Sequence, residues 1–163
     1  MILSDTDHLG GTPGDHVWVW KSFLRGLNPI NYIELSQLLD TSPKLEGARK
    51  AMGHTRMIAN RIHLAQMAPQ NKLASSAYCL AQPGVEYMIY NPKAGEITVD
   101  LSQSRGTFAI DWIRPVDGTP TSGGVTSGGA RRTFAAPFGG DAVLYIYKVK
   151  RSGSDEQARG ETS

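Results

Sequence analysis

The chain opens on an apolar run, Met1-Ile2-Leu3, that breaks at once into Ser4-Asp5-Thr6-Asp7-His8-Leu9 and the paired glycines Gly10 and Gly11. A short strand that delivers carboxylates and an imidazole at its C-terminal end has the layout of active-site strands in α/β barrels and open α/β sheets. Asp15 is placed to cap a helix over 16–25, where Trp20, Phe23, Leu24 and Leu27 recur at the spacing of one buried face. Gly26 ends that helix, and Pro29 prevents its continuation. A second short strand is predicted over 30–35, with Glu34 at its end. Ser42 and Pro43 then open a second helix, Ser as cap and Pro at the first helical position. Its inward face is predicted to carry Ala48, Ala51, Met52, Thr55, Ile58, Ala59, Ile62 and Ala65. Strand, helix, strand, helix is the repeat unit of a parallel sheet.

The pattern changes at Pro69. β-rich runs of strand length follow over 77–81, 85–90, 96–101, 107–113, 132–135 and 142–149, separated by turn clusters such as Gln82-Pro83-Gly84 and Asn91-Pro92-Lys93-Ala94-Gly95. Apolar and polar residues alternate in Ile97-Thr98-Val99-Asp100-Leu101 and in Phe108-Ala109-Ile110-Asp111-Trp112, as in strands with one buried face. Several short strands with Gly/Pro punctuation indicate an antiparallel sandwich, expected to fold by itself with a protease-resistant core beginning near Lys72. The segment 121–129 has no large apolar residue but Val125 and reads as a mobile hairpin or loop. From Ser152 onward only Ala158 is apolar, too little to bury for order, so 151–163 is expected to be a disordered tail.

Composition narrows the function classes. With 163 residues and a formal charge of +2, scattered Lys and Arg make no polyanion-binding surface, and no nucleic-acid partner is expected. The one basic cluster, Lys148, Lys150 and Arg151, ends a strand and reads as a solvated exit. No apolar stretch approaches the ~20 residues of a membrane span. Cys79 is the single cysteine, which excludes an internal disulfide and paired-cysteine zinc sites. Its apolar neighbours, Tyr78, Leu80 and Ala81, suit a buried small hydrophobe better than a nucleophile.

Two stretches together resemble one family. Ile2 to Leu9, followed by Trp18-Val19-Trp20-Lys21-Ser22-Phe23-Leu24-Arg25-Gly26-Leu27-Asn28-Pro29-Ile30, is similar to the end of the catalytic barrel of apiosidase-like glycoside hydrolases. Leu73 to Ala81, Glu86-Tyr87-Met88-Ile89-Tyr90, Gly95 to Leu101, Trp112, Arg114-Pro115, Gly118, Pro137-Phe138 and Ala142-Val143-Leu144-Tyr145 resemble the C-terminal sandwich of the same proteins, a domain often labelled collagen-binding. The resemblance covers about residues 2 to 147. It implies an α+β chain in two parts: a partial (β/α)8 barrel, its last two βα units, over 1–68, then an antiparallel β-sandwich over 69–150. The chain is accordingly expected to be the C-terminal part of a larger enzyme acting on complex, plant-type polysaccharides. Alone it is expected to be inactive, because the N-terminal barrel portion is a missing partner. The full-length parent is expected to be secreted or periplasmic, with a polysaccharide or oligosaccharide substrate and no cofactor.

Glycoside hydrolysis needs two carboxyl groups across one sugar, about 5–5.5 Å apart for retention and about 6.5–9.5 Å apart for inversion. Within the resemblance, the strand-seven position of the nucleophile falls at Asp5 or Asp7, the two candidate catalytic residues. Alternate residues of an extended segment face the same side, so both can approach a substrate. One of them can equally be a sugar-hydroxyl acceptor, or both can cap the next helix and satisfy loop amides. His8, Glu34 and Trp18 are the candidate substrate contacts. His8 adjoins the acids, Glu34 ends the second strand, and Trp18 is available either for sugar stacking or for packing. No metal is assigned, although Asp-Thr-Asp-His also suits a divalent ion of the kind held by sugar-nucleotide transferases. Two other functions stay open beside the glycosidase fragment: a stand-alone sandwich that binds carbohydrate or a matrix protein, and a metal-dependent transferase. The sandwich offers few candidate exposed aromatics, since Tyr87, Tyr90 and Tyr145 can all be core.

Overall fold

The computed structural model describes residues 2–5, 14–30 and 41–149. Strand β1 (Ile2–Asp5) pairs in parallel with β2 (Leu27–Ile30), and α1 (His16–Leu24) lies between them in the chain. Helix α2 spans Pro43–Ala59. Two single 3₁₀ turns, Leu64–Gln66 and Asn71–Leu73, flank the two-residue strand β3 (Ala68–Pro69). Seven further strands follow: β4 (Cys79–Gln82), β5 (Glu86–Asn91), β6 (Glu96–Asp100), β7 (Thr107–Ile113), β8 (Pro120–Ser127), β9 (Arg131–Ala135) and β10 (Ala142–Lys148). They form a six-stranded antiparallel sheet, ordered β3-β4-β5-β10-β7-β8, and a two-stranded antiparallel sheet of β6 and β9.

Helix α1 begins where expected, because the Asp15 carboxylate accepts a hydrogen bond from the Trp18 amide at 2.7 Å. It stops at Leu24. Gly26 takes a left-handed φ of +74° and donates its N–H to Phe23 O at 2.9 Å, turning the chain directly into β2. The second strand therefore already runs over Leu27–Ile30, and Leu27 belongs to β2 instead of the helix face; of the strand expected over 30–35, only Ile30 is among the described residues. Pro29 is tolerated because β2 pairs only with β1 among the described strands. Residues 31–40, including Glu34, lie outside the described residues, as do 6–13 and the tail 151–163. On α2, Leu45, Ala48, Ala51, Thr55 and Ile58 are buried, and Ile62 follows beyond its end. Ala65, expected inward, is exposed, because the helix ends at Ala59 and the chain turns before reaching it.

The six-stranded sheet is buried on both faces at its centre. One face, with Ile89, Leu144, Ile146, Phe108, Ile110 and Trp112, packs against Ile97, Val99 and Leu101 of the small sheet and the segment after it. The other face, with Leu80, Met88, Tyr90, Ile113 and Val143, packs against Val19, Trp20, Phe23 and Leu24 of α1 and Ala48, Ala51 and Ile58 of α2. Trp20 stacks on Tyr90 with ring centroids 6.2 Å apart and meets Phe23 edge-on at 6.4 Å. Asp141, just before β10, accepts from the Tyr90 hydroxyl at 2.6 Å and lies 3.2 Å from His16 Nε2, tying α1 to two strands. The chain is thus a mixed helix and sheet protein, mostly antiparallel. Of the expected barrel end, the described residues hold one parallel strand pair joined through α1, with α2 after it.

Strand β8 corrects the expectation of a mobile loop over 121–129. All but one of its residues are exposed, so no apolar period marks it; its backbone pairing with β7 makes it a strand. The register shifts between Ile110 and Asp111, which leaves Gly123 as the extra residue of a β-bulge. A Cβ at Gly123 would sit 2.6 Å from Ile110 Cγ2 and 3.0 Å from Trp112 Cδ1. One at Gly128 would overlap the Ser104 carbonyl. Gly123→Ala and Gly128→Ala are each expected to lower stability by about 1–3 kcal/mol, the usual range for forced overpacking. Nothing lies within 4 Å of a Cβ at Gly139, so Gly139→Ala should stay within about 0.5 kcal/mol of the parent. Urea unfolding measures all three, and equal midpoints would contradict the close approach.

The shared helix and sheet core also bears on the expected resistant core near Lys72, because one hydrophobic cluster runs across that point. A version beginning at residue 68 would bare Leu80, Met88, Tyr90, Ile113 and Val143 together. It is expected to bind a hydrophobic dye and to lose a sharp thermal transition. A dye-silent protein with a cooperative transition at the parental temperature would show that the sheet needs no helices.

Candidate functional site

The residues singled out in the sequence fall at the β1 end of the molecule. Asp5 is the last residue of β1 and pairs with Ile30 of β2, so the parallel pair delivers its C-terminal ends together. Asp7, His8 and Glu34 lie outside the described residues. Trp18 sits in the first turn of α1, half-buried and packed against the helix and sheet core, with its ring against Gly14. Among the described residues, no group of three His, Cys, Asp or Glu side chains could hold a metal ion, and no helix is long and apolar enough to cross a membrane. Cys79 is fully buried, and burial pushes its thiol up to about 12, which leaves it un-ionised and unreactive at neutral pH.

A second feature lies on the sheet face that the helices cover. Side chains alternate along each strand, so Glu86, Met88 and Tyr90 of β5 share this face with Val143, Tyr145 and Tyr147 of β10 and with Ala109, Asp111 and Ile113 of β7. Toward Tyr90, Val143 and Ile113 the face is sealed by α1 and α2. Toward the opposite end it opens into a groove of about 1220 Å³. Tyr145 and Tyr147 line this groove, their rings stacked with centroids 4.7 Å apart and planes 23° from parallel.

The groove is held by a buried carboxylate. Glu86 is 2% exposed and accepts three hydrogen bonds. The His63 amide donates at 2.9 Å and His63 Nδ1 at 3.0 Å, both to Oε1, and the Tyr145 hydroxyl donates to Oε2 at 2.8 Å. A carboxylate only accepts, so His63 carries its proton on Nδ1 in this bond. Burial, then the hydrogen bond to Glu86 and its charge, push the Tyr145 hydroxyl well above the ordinary phenol range, so it remains a donor. Burial and the adjacent Asp111 carboxylate raise Tyr147 in the same direction. At the rim, Lys148 donates its amide to Val85 O at 2.8 Å, and the Val149 amide reaches Thr107 O at 3.2 Å. These bonds pin the end of β10 to both neighbours.

Neither tyrosine is among the sequence-derived candidates: Tyr147 carries no expectation, and Tyr145 only that of a core residue. The available signal was the period of two in Val143-Leu144-Tyr145-Ile146-Tyr147-Lys148, which puts both tyrosines on one face. Tyr87 and Tyr90 are core as read. The Tyr87 hydroxyl is satisfied by Ser104 Oγ and by the Gly84 amide, and Tyr90 lies under Trp20.

No protein-family model matches this chain, and no curated protein does. Among solved structures, a chain described as a glycoside hydrolase matches 65% of this chain and 26% of its own length, with a TM-score of 0.55 and 17% identity. A glycoside hydrolase family 5 protein from Bacteroides vulgatus ATCC 8482 matches 64% of this chain and 25% of its own, with a TM-score of 0.54 and 17% identity. The likeness is one of fold. This chain spans about a quarter of the length of either structure.

Replacing Glu86 by Ala strands the His63 amide and the Tyr145 hydroxyl in a half-buried site. Unsatisfied buried groups cost about 1–3 kcal/mol each, so Glu86→Ala is expected to lower the unfolding free energy by about 2–4 kcal/mol in urea titrations. Tyr145→Phe, which removes one of the three donors, should cost about 1 kcal/mol. A Glu86→Ala protein as stable as the parent would mean that the carboxylate organises nothing.

Proposed function

We propose that this chain is part of a carbohydrate-active protein of the glycoside hydrolase kind. In that reading residues 1–68 form the closing part of a catalytic barrel, 69–150 a sandwich packed against it, and 151–163 a tail. The fold likeness to glycoside hydrolase chains carries the proposal, and the parallel β1–β2 pair ending at Asp5 supports it. The substrate is a polysaccharide or oligosaccharide of plant type. Asp5 or Asp7 supplies one of the two carboxyl groups, with His8, Glu34 and Trp18 contacting the sugar around it. The opposing carboxyl comes from a barrel strand outside this chain, since two acids on one strand end do not straddle a glycosidic bond.

The chemistry divides accordingly. A general acid must protonate the leaving oxygen while a carboxylate on the other side attacks or activates water. One member without the other forfeits the roughly 10²–10⁴-fold of acid–base assistance, and the nucleophilic step with it. The 163-residue chain by itself is therefore expected to show no turnover of 4-nitrophenyl glycosides above background. In a protein that carries six further βα units ahead of Met1, Asp5→Asn and Asp7→Asn should divide the roles. Collapse of turnover with intact substrate binding marks the nucleophile, and a raised KM with turnover kept marks a hydroxyl contact. Robust cleavage by this chain alone, or full activity of both variants in the longer protein, would overturn the proposal.

A further inference from the structure

The groove over Tyr145 and Tyr147 shares no lining residue with β1 or β2, and nothing in the barrel chemistry uses it. Its floor is the face of β5, β10 and β7, whose backbone groups are spent on each other in continuous antiparallel ladders. A peptide strand added to a sheet needs free backbone at an edge; this floor offers side chains only. What it offers is a stacked pair of aromatic rings with polar groups of both kinds around them. Arg105 and Lys148 stand exposed at the rim, the buried Glu86 carboxylate is part of the lining, and Asp111 lies on the same sheet face beside Tyr147, outside the lining. The Glu86 and Asp111 carboxylates offset the two rim cations, which disfavours a strongly charged ligand of either sign and suits a neutral one rich in hydroxyls.

The rings are also fixed in advance. Tyr145 is anchored through its hydroxyl to the buried Glu86, which is itself held by the segment that follows α2 through His63. Tyr147 is stacked on Tyr145. The alkyl chain of Lys148 lies over Gly106, where a Cβ would come within 3.6 Å of Lys148 Cε. A ligand that settles on such a surface gives up little side-chain entropy of the protein, which is the condition for useful affinity from a shallow site. Clefts with an apolar, aromatic floor and a few convergent polar groups are the ordinary form of small-ligand sites.

We propose that this groove binds a neutral oligosaccharide, with one pyranose ring against the Tyr145–Tyr147 pair and its hydroxyls facing Arg105, Thr107 and Lys148 at the rim. The proposal rests on the carbohydrate-active reading above and adds to it a glycan site outside the catalytic body. Its role would be to keep the protein on a polymer while the reactive centre works elsewhere along it.

The test uses the full 163-residue chain with cellohexaose, xylohexaose and mannohexaose as separate probes in calorimetric titrations. Saturable binding of at least one of them is expected. Tyr147→Ala should weaken it by about tenfold or more, and Tyr147→Phe, which keeps the ring, should remain within about threefold of the parent. Should Tyr147→Ala fail to fold, as judged by its thermal transition, Arg105→Ala and Lys148→Ala at the rim replace it and should each weaken binding measurably. Absence of binding by all three hexasaccharides overturns the groove. So does binding that Tyr147→Ala and both rim variants leave unchanged, or a response to a tetraalkylammonium ion in place of the sugars. None of these failures touches Asp5-dependent turnover in the longer protein, so the groove and the catalytic reading stand or fall on separate measurements.

Discussion

Everything in this chain is organised by a sheet that must be covered twice. At the centre of the six-stranded sheet, consecutive residues such as Tyr87, Met88, Ile89 and Tyr90 are all buried, as are Val143 and Leu144. Alternation sends them to opposite sides, so each side needs its own apolar cover. The small sheet of β6 and β9 covers one side and the helix pair covers the other. Sheets with two buried faces are ordinarily parallel and flanked by helices. Here an antiparallel sheet meets the same demand with two different kinds of layer. The stack of Trp20 on Tyr90 lies where the helix layer seats, and the Asp141 carboxylate beside it satisfies the one polar atom that Tyr90 brings into the seam.

Among the described residues the helix layer packs against only part of this face, and the groove lies over the rest. Away from the part packed against α1 and α2, the side chains of the face change from Val143, Ile113 and Met88 to Tyr145, Tyr147, Asp111 and Glu86. The carboxylate of Glu86 is nearly as buried as the apolar core, yet it is fully committed to donors, which is what makes its burial tolerable. It marks the seam between the sealed half of the face and the open half. The same residue fixes the chain after α2 through the amide and ring of His63, so the groove wall and the core share a single anchor.

Much of this architecture was legible in the sequence where burial leaves a period. The start of α1 at Asp15, the start of α2 at Pro43 and the strands over 86–91, 96–100, 107–113 and 142–148 all carry either a cap signal or apolar alternation. The misses have physical causes. Strand β8 has almost no buried side chain and is held through its backbone, so no pattern of side chains announces it. Strand β2 came early because a left-handed Gly26 reverses the chain in one step, where Pro29 had suggested a longer break. The groove could not be seen from one strand at a time. Tyr145 and Tyr147 look like ordinary core tyrosines until β5 and β7 are placed beside them and the groove over that end of the face is seen. The acids at the β1 end were legible as residue types, but their chemistry depends on what faces them across a substrate, which no local pattern contains.

The way β8 is attached separates what this strand must keep from what it can change. Its neighbour holds it through amides and carbonyls, and at Gly123 it meets packed side chains of that neighbour, Ile110 and Trp112. Its other side chains, Val125 among them at 68% exposed, face outward from the rim of the molecule. The strand is thus a nearly blank surface on a rigid frame. New side chains can be written onto it, for a label, a surface tether or a designed contact, without entering the interior that keeps the rest of the chain folded.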